Sequence, residues 1–299
     1  MSDNPRMPKV RSTRMIFWIA SYPKSGNTWV RILLEALTRL DAAPVSINAI
    51  ARVRSHASNR VLFDQLVGVK ASDLPPDLVE RLRPEVYALA SQAAAAAEYW
   101  KIHDAWRLVA PDVSLIPAHV TRGVLYVVRN PLDVAVSLHE HLSLTQDAAI
   151  DFMADPEAML SGSVRALGYQ LPQYLKTWSE HVASWLTTSP LPVHLLRYED
   201  LKSAPLATLR AAADFLGLPT EAAALLAALD AAAFDKLRAQ EASEGFSERS
   251  RHAPVFFRRG LAGVWREELT LQQVQRVIAD HGAMMQSLGY LDSSGGLPC

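Results

Sequence analysis

Residues 15–37 read MIFWIASYPKSGNTWVRILLEAL, and this stretch decides the fold. Met15 to Ala20 is an unbroken apolar run closed by a turn, the pattern of a strand buried on both faces. Ser21 to Gly26 is a short polar loop. From Thr28 to Leu40, Trp29, Ile32, Leu33, Ala36, Leu37 and Leu40 fall on one side at helical spacing. Strand, polar loop, helix is the opening unit of a nucleotide-binding α/β domain. The loop has the chemistry of an anion cradle. Backbone N–H groups at a helix N-terminus are unpaired, and the helix dipole is positive there. Gly26 lets the backbone approach an anion, Lys24 adds a full charge, and Ser25, Asn27 and Thr28 add neutral donors. A Walker A loop, G-x-x-x-x-G-K-[ST], has its lysine after the second glycine; here the lysine precedes the glycine by two. The competing reading is a plain strand–helix turn with a surface lysine.

Further buried-strand patterns follow at Tyr99–His103, Gly123–Val128 and Val193–Arg197. After the third strand, Asn130 as N-cap, Pro131 at the first helical position and Asp133 at the third start a helix that runs to about His141. Helices are also expected over Glu85–Tyr99, Val164–Leu186, Ser203–Leu216, Glu221–Ala231 and Phe234–Gln240. Thr270 with Gln273 forms a capping box that starts the last helix. Val45–Pro76 reads as irregular with short helices, and Glu241–Ala262 as a polar loop. The fold class is therefore α/β, one domain over 15–290, with a mostly parallel central sheet flanked by helices. Residues 1–14 and 291–299 read as poorly ordered tails.

The composition excludes several classes. The chain has 299 residues, 30 Lys+Arg against 31 Asp+Glu, and is 49% hydrophobic. That is neither a disordered nor a low-complexity composition. A net charge of −1 argues against coating nucleic acid or an anionic membrane. The single cysteine, Cys299, cannot form an intrachain disulfide and fits a reducing compartment. No apolar run approaches the roughly 20 residues of a membrane helix, and Met15–Ala20 is too short for a signal sequence core. The expected location is the cytoplasm, with no nucleic-acid or membrane partner. No cluster has convincing metal spacing: His139-Glu140-His141 would splay on a helix, and no metal site is expected.

YPKSGNTW (22–29) resembles the 5′-phosphosulfate loop of the cytosolic-type sulfotransferases that use 3′-phosphoadenosine 5′-phosphosulfate (PAPS). Three other segments are similar to that family's motifs in the expected order. WKIHDA (100–105) resembles the segment that supplies the catalytic histidine. YVVRNPLDVAVSLHEH (126–141) resembles the 3′-phosphate segment, and RRGLAGVW (258–265) the C-terminal loop. The resemblance implies PAPS as co-substrate and 3′-phosphoadenosine 5′-phosphate (PAP) as product, with no metal required. It implies His103 as general base and Lys24 and Lys101 as cations at the transferring sulfate and leaving phosphate. An imidazole suits proton removal from an alcohol at neutral pH. If the segment is extended, Lys101 and His103 share a face and Ile102 points away. Ser25, Gly26, Asn27 and Thr28 would hold the 5′-phosphate; Arg129, Ser137, Arg258, Arg259 and Gly260 the 3′-phosphate. Trp29, Phe234 and Tyr198 would lie at the adenine, though each fits equally as a core aromatic.

Departures from the family pattern are specific. Asn27 replaces a threonine, Ile102 a threonine, and Asp104-Ala105 a Leu-Pro. Val264 stands where the family has aspartate. The dimer motif is only partly matched by Arg266, Thr270, Leu271 and Gln275, so a homodimer rests on the resemblance alone. Two other functions compete: an ATP-dependent small-molecule kinase on a related phosphate-loop fold, and a nucleotide-binding homologue without catalysis. The kinase expects a Walker lysine that is absent. The acceptor, a small molecule with a hydroxyl or amine, should lie against Val45–Pro76, Gln146–Leu160 and Glu241–Phe257. Phe63, Phe152, Phe246, Phe256 and Phe257 either form an apolar acceptor wall, for an apolar or aromatic alcohol, or are packing residues.

Overall fold

A computed structural model describes residues 16–39, 45–48, 50, 56–93, 96–162, 168–249 and 255–297. Strand β1 (Ile16–Ser21) leads through the 22–26 loop into α1 (Asn27–Thr38). Two helices, α2 (Arg60–Val67) and α3 (Pro76–Ala93), precede β2 (Glu98–Ile102). A small ribbon of β3 (Leu108–Ala110) and β4 (Val113–Ser114) comes before β5 (Thr121–Val128). Then follow α4 (Pro131–Leu142), α5 (Gln146–Ala154), and a second ribbon of β6 (Met159–Leu160) and β7 (Gln173–Tyr174). Helix α6 (Trp178–Ala183) leads to β8 (Val193–Arg197). The chain ends in α7 (Tyr198–Ser203), α8 (Pro205–Leu216), α9 (Ala222–Ala231), α10 (Phe234–Glu244), α11 (Trp265–Glu268) and α12 (Leu271–Ser287).

The central sheet has the order β2-β1-β5-β8, and its neighbours are parallel. Strand alternation sorts its side chains into two cores. Trp18, Trp100 and Tyr126 join Tyr87, Trp178 and Trp185 on one face. Phe17, Ile19, Leu125 and Val127 meet Ile32, Leu33, Leu209 and Leu225 on the other. Both faces are covered, which is why these strands read as continuous apolar runs. Because the strands are parallel, the loops after β1, β2, β5 and β8 emerge at one edge. The chain passes from β1 outward to β2 and then crosses back to β5 on the other side of β1, which opens a crevice at that edge.

The four sheet strands lie within two residues of their expected starts. Asn130 caps α4 by accepting from the Leu132 N–H at 3.0 Å, and Thr270 and Gln273 form their reciprocal capping box. Of the helix expected over Val164–Leu186, residues 164–167 lie outside the described residues, and the remainder is not one helix. Gln173–Tyr174 pairs as a strand with Met159–Leu160, and Lys176 has a left-handed backbone (φ 62°). The helix starts only at Trp178, where Thr177 and Glu180 make a capping box, and it ends in a π-helical turn, Ser184–Thr188. Apolar spacing produced by a strand and a loop had imitated a helical face. The helix expected over Glu85–Tyr99 starts earlier, at Pro76, and gives way to β2 at Glu98. The one expected over Ser203–Leu216 is preceded by α7, with Ala204 between them outside helical geometry. The last helical turns of α10 extend to Glu244. Leu291, placed in a tail by sequence, is buried, and Asp292 accepts from the N–H groups of Ser294 and Gly296. The expected tail 1–14, Leu40 and Cys299 lie outside the described residues. No described helix is long and apolar enough to cross a membrane.

Candidate functional site

A cleft of about 800 Å³ lies at the crevice. Its lining includes Lys24, Gly26, Asn27, Thr28 and Trp29 from the first loop, and Lys101 and His103 from the end of β2. Arg129, Ser137 and Tyr198 follow β5 and β8, and Phe234, Arg258, Arg259 and Gly260 close it. Ser25 is the exception, being fully buried behind the loop.

The first loop leaves backbone donors and a lysine facing the cleft. Gly26, the residue before α1, adopts φ 99°, and no side chain caps the helix, so its first N–H groups remain available. A Cβ on Gly26 would lie 2.7 Å from the Tyr198 ring, so only glycine lets the loop sit on that ring. The Ser25 Oγ is buried with no partner among the described residues. Lys24 is left-handed (φ 68°), and its ammonium stands 4.5 Å from the Phe256 ring centre. Burial, reinforced by Arg129 and Lys101, lowers its pKa to about 8. The Asn27 side chain departs from its expected use. Its NH₂ donates inward to Ile19 O (2.9 Å) and Ser21 Oγ (3.2 Å), which leaves the backbone N–H as its outward donor.

His103 is held in one tautomer. Its Nδ1 lies 2.8 Å from the Ser21 carbonyl oxygen, which can only accept, so Nδ1 carries the proton and Nε2 is the basic nitrogen. The alignment Ala20↔Ile102 places His103 beside the end of β1. Ile102 is buried in the opposite layer, while Lys101 and His103 both reach the cleft. Burial, with the Lys101 charge, pushes the His103 pKa well below 6.5. His181 Nε2–H donates to the His103 carbonyl at 3.0 Å, and Tyr126 O–H donates to His181 Nδ1 at 2.8 Å. This chain fixes the backbone from which the imidazole projects.

Several residues of the site escaped sequence reasoning. Glu248 binds Arg31 at 2.6 Å and Lys101 Nζ at 3.1 Å. Burial alone would raise the Glu248 carboxyl, but Lys101 and Arg31 together hold it well below the usual carboxylate range. Asp133, noted only as a helix-start residue, accepts from the N–H groups of Gly263 (2.7 Å) and Trp265 (3.1 Å). It thereby ties the 258–265 loop to α4. Arg129 joins the same knot, donating to Leu261 O at 2.9 Å with its guanidinium 4.7 Å from the Tyr198 ring centre. Arg258 pairs with Glu140 and Glu268, and Arg259 with Glu267 at 2.7 Å. Glu199 accepts from the Asn130 N–H (3.0 Å) and Tyr290 O–H (2.8 Å), joining β5, β8 and the C-terminal segment. His56 and His141 also line the cleft. A glutamate four residues from a helix end, or a histidine within an ordinary amphipathic helix, carries no local signal for such roles.

The aromatic residues divide. Trp29 donates to Ala232 O at 3.0 Å and meets Tyr198 edge-on at 5.6 Å. Phe234 is half-buried, and a Cβ on Gly260 would lie 2.2 Å from its ring. Phe63 and Phe246 are buried and Phe152 packs on the core, so they are packing residues; Phe256 and Phe257 line the cleft.

The model of the sulfotransferase domain family matches residues 15–289. Cytosolic sulfotransferase 17 of Arabidopsis thaliana is 23% identical over 292 residues, 93% of this chain and 76% of the relative. Sulfotransferase 1A1 of Canis lupus familiaris is 27% identical over 290 residues, 91% of this chain and 83% of the relative. Mouse sulfotransferase SULT7A1 complexed with PAP has a similar fold, with a TM-score of 0.58, 18% identity, and 92% and 84% of the two chains covered. Retinol dehydratase in complex with androsterone and PAP gives a TM-score of 0.60 at 20% identity, covering 91% and 80%.

Proposed function

The chain belongs to the sulfotransferase domain family, and from that premise we propose that it is a PAPS-dependent sulfotransferase acting on a hydroxyl or amine of a small molecule. The observation that carries this reading is the convergence of Lys24, Lys101, His103, Arg129, Arg258 and Arg259 on one cleft. The uncapped N-terminus of α1 and the unpartnered Ser25 Oγ fit a phosphate, and the glycines at 26 and 260 let their loops pack on the Tyr198 and Phe234 rings at the cleft.

The donor supplies a sulfuryl group: an acceptor O–S bond forms as the S–O bond to the 5′-phosphate breaks, and PAP leaves with the electron pair. His103 Nε2 takes the acceptor proton while Nδ1–H stays on Ser21 O. Lys24 and Lys101 offset the negative charge that develops on the transferring and leaving groups. Ser25, Gly26, Asn27 and Thr28 hold the 5′-phosphate, in the case of Asn27 through its backbone. Arg129, Ser137, Arg258, Arg259 and Gly260 hold the 3′-phosphate; for Arg258 and Arg259 this means exchanging carboxylate partners for phosphate oxygens. Trp29, Tyr198 and Phe234 border the adenine. Positioning and electrostatics supply most of the rate, as in phosphoryl transfer.

The test is PAP release from PAPS across an acceptor panel, with PAP binding measured by calorimetry. His103→Ala is expected to lower turnover about 10²–10⁴-fold with PAP affinity retained. Unchanged turnover would remove His103 from the mechanism. Preference for ATP with Mg²⁺ over PAP in a thermal-shift assay would favour a kinase instead.

A further inference from the structure

The acceptor end of the cleft differs in chemistry from the donor end. It surrounds the end of β2. His56 bridges to Lys101 in parallel register, and the Ala57 N–H donates to Lys101 O at 2.9 Å. Gln173 lies beside the continuation of β2, because the neighbouring Tyr174 carbonyl accepts from the Ala105 N–H at 2.8 Å. His141 comes one turn after Ser137 on α4, close enough to feel the charges of Lys24 and Lys101. All of these side chains, with Ser58, line the cleft.

Gln173 Nε2 donates to Gln170 Oε1 at 3.1 Å, which leaves its own carbonyl oxygen, and the imidazoles at this end keep nitrogens that no described residue engages. His141 has no hydrogen bond to any described residue on either ring nitrogen. His56 is engaged only through Nδ1, to Ser58 Oγ at 3.2 Å, among the described residues. His103 keeps Nε2 free of described partners as well. Burial, with the nearby lysine charges, lowers the pKa of His56 and of His141 to about 4, so both are neutral imidazoles at pH 7. They can accept and donate hydrogen bonds but add no charge.

Tyr169 and Leu160, from the β6–β7 side, line the cleft near this end, and the phenylalanines stand on the side of the first loop. The Phe256 ring carries the Lys24 ammonium and packs on Phe246 at 4.7 Å and Phe257 at 5.1 Å. It belongs to the wall beside the phosphate loop. An apolar acceptor seated at His103 would cover the imidazoles of His56 and His141 without bonding them, and burying such groups unpaired is unfavourable.

We propose that His56, Ser58, His141 and Gln173 form a polar subsite around His103 that selects an acceptor carrying several hydroxyl groups, a polyol or sugar-like alcohol. This rests on the sulfotransferase reading above. One hydroxyl loses its proton to His103 Nε2 and gains the sulfuryl group; the others bond to the surrounding imidazole, hydroxyl and amide groups.

The experiment compares acceptors matched in shape. With PAPS saturating, kcat/KM is measured for inositol and methyl glucoside against cyclohexanol and 4-nitrophenol, and PAP binding is measured in parallel. A polyol is expected to exceed cyclohexanol by about tenfold or more, because the site's polar groups reject an analogue that cannot pair with them. His141→Leu and His56→Leu should each narrow that ratio by about tenfold with PAP affinity retained, and His141→Gln, which keeps a donor and an acceptor, should largely preserve it. Higher kcat/KM for cyclohexanol or 4-nitrophenol than for both polyols overturns the proposal and leaves the transferase reading intact. Equal ratios in wild type and the leucine variants overturn it also. Failure to bind PAP, or PAP binding with transfer to no acceptor, overturns the transferase reading, and the proposal falls with it.

Discussion

At the scale of the residue, two side chains set the expected pH dependence. In the proposed mechanism His103 works as the neutral base, and its conjugate acid lies well below pH 6.5 because it is buried beside Lys101. Lys24 must be charged, and burial brings its pKa down to about 8. Activity is therefore gained as pH rises through the low His103 pKa and lost as it rises through about 8. The kcat/KM profile should have its acidic limb below pH 6.5 and its basic limb near pH 8. Lys24→Arg should remove the basic limb, since a guanidinium does not titrate there, at reduced overall rate. A basic limb unmoved by that substitution would mean that another group titrates. Asn27 teaches a different lesson at this scale. It has the right chemistry and the right position, yet its amide serves β1.

Among the elements, the 258–265 loop depends on α4. Asp133 is buried and accepts two loop N–H groups, so the loop's position is fixed from the same helix that bears Ser137. Asp133→Ala leaves both N–H groups without that acceptor and should cost about 1–3 kcal/mol of stability. PAP affinity should fall about tenfold or more because Arg258 and Arg259 lose their placement; calorimetry and denaturant titration read the two effects separately. Gly260→Ala tests the same loop by sterics. At φ 62° with the half-buried Phe234 ring 2.2 Å away, the added methyl should force the loop or that ring to shift and so weaken PAP binding.

For the molecule as a whole, one buried ionic network holds distant segments together behind His103. Arg83 and Asp104 are each fully buried and pair at 2.7 Å. Arg83 also donates to the Tyr87 hydroxyl oxygen (2.9 Å), Glu80 (3.2 Å) and Pro172 O (3.2 Å), and Asp104 accepts from the Tyr174 N–H (3.1 Å). The network joins α3, the end of β2 and the β7 ribbon. Arg83→Met should destabilise the fold by about 3–5 kcal/mol, because it strands a buried carboxylate. Chemical denaturation checks this, and a loss below about 1 kcal/mol would show that Asp104 finds another partner.

The sequence by itself determined the α/β class, the sheet strands, the loop between β1 and α1 and the capped starts of α4 and α12. Each of these is written in neighbouring residues: doubly buried strands as apolar runs, a helix start as Asn-Pro-x-Asp, the β1–α1 loop as lysine and glycine before a helix. Where local spacing was ambiguous, as in Val164–Leu186, the reading failed, because a strand and a loop can place apolar residues at helical intervals. Only the tertiary structure decided that Glu248 meets Arg31, 217 positions away, that Asp133 holds Gly263, and that His181 supports His103. It also decided that His56 and His141 share a cleft with His103. Pairings of this kind leave no periodic trace in the chain. They depend on which loops the parallel sheet delivers to one edge, and a hydrogen bond between two distant side chains is set by that delivery alone.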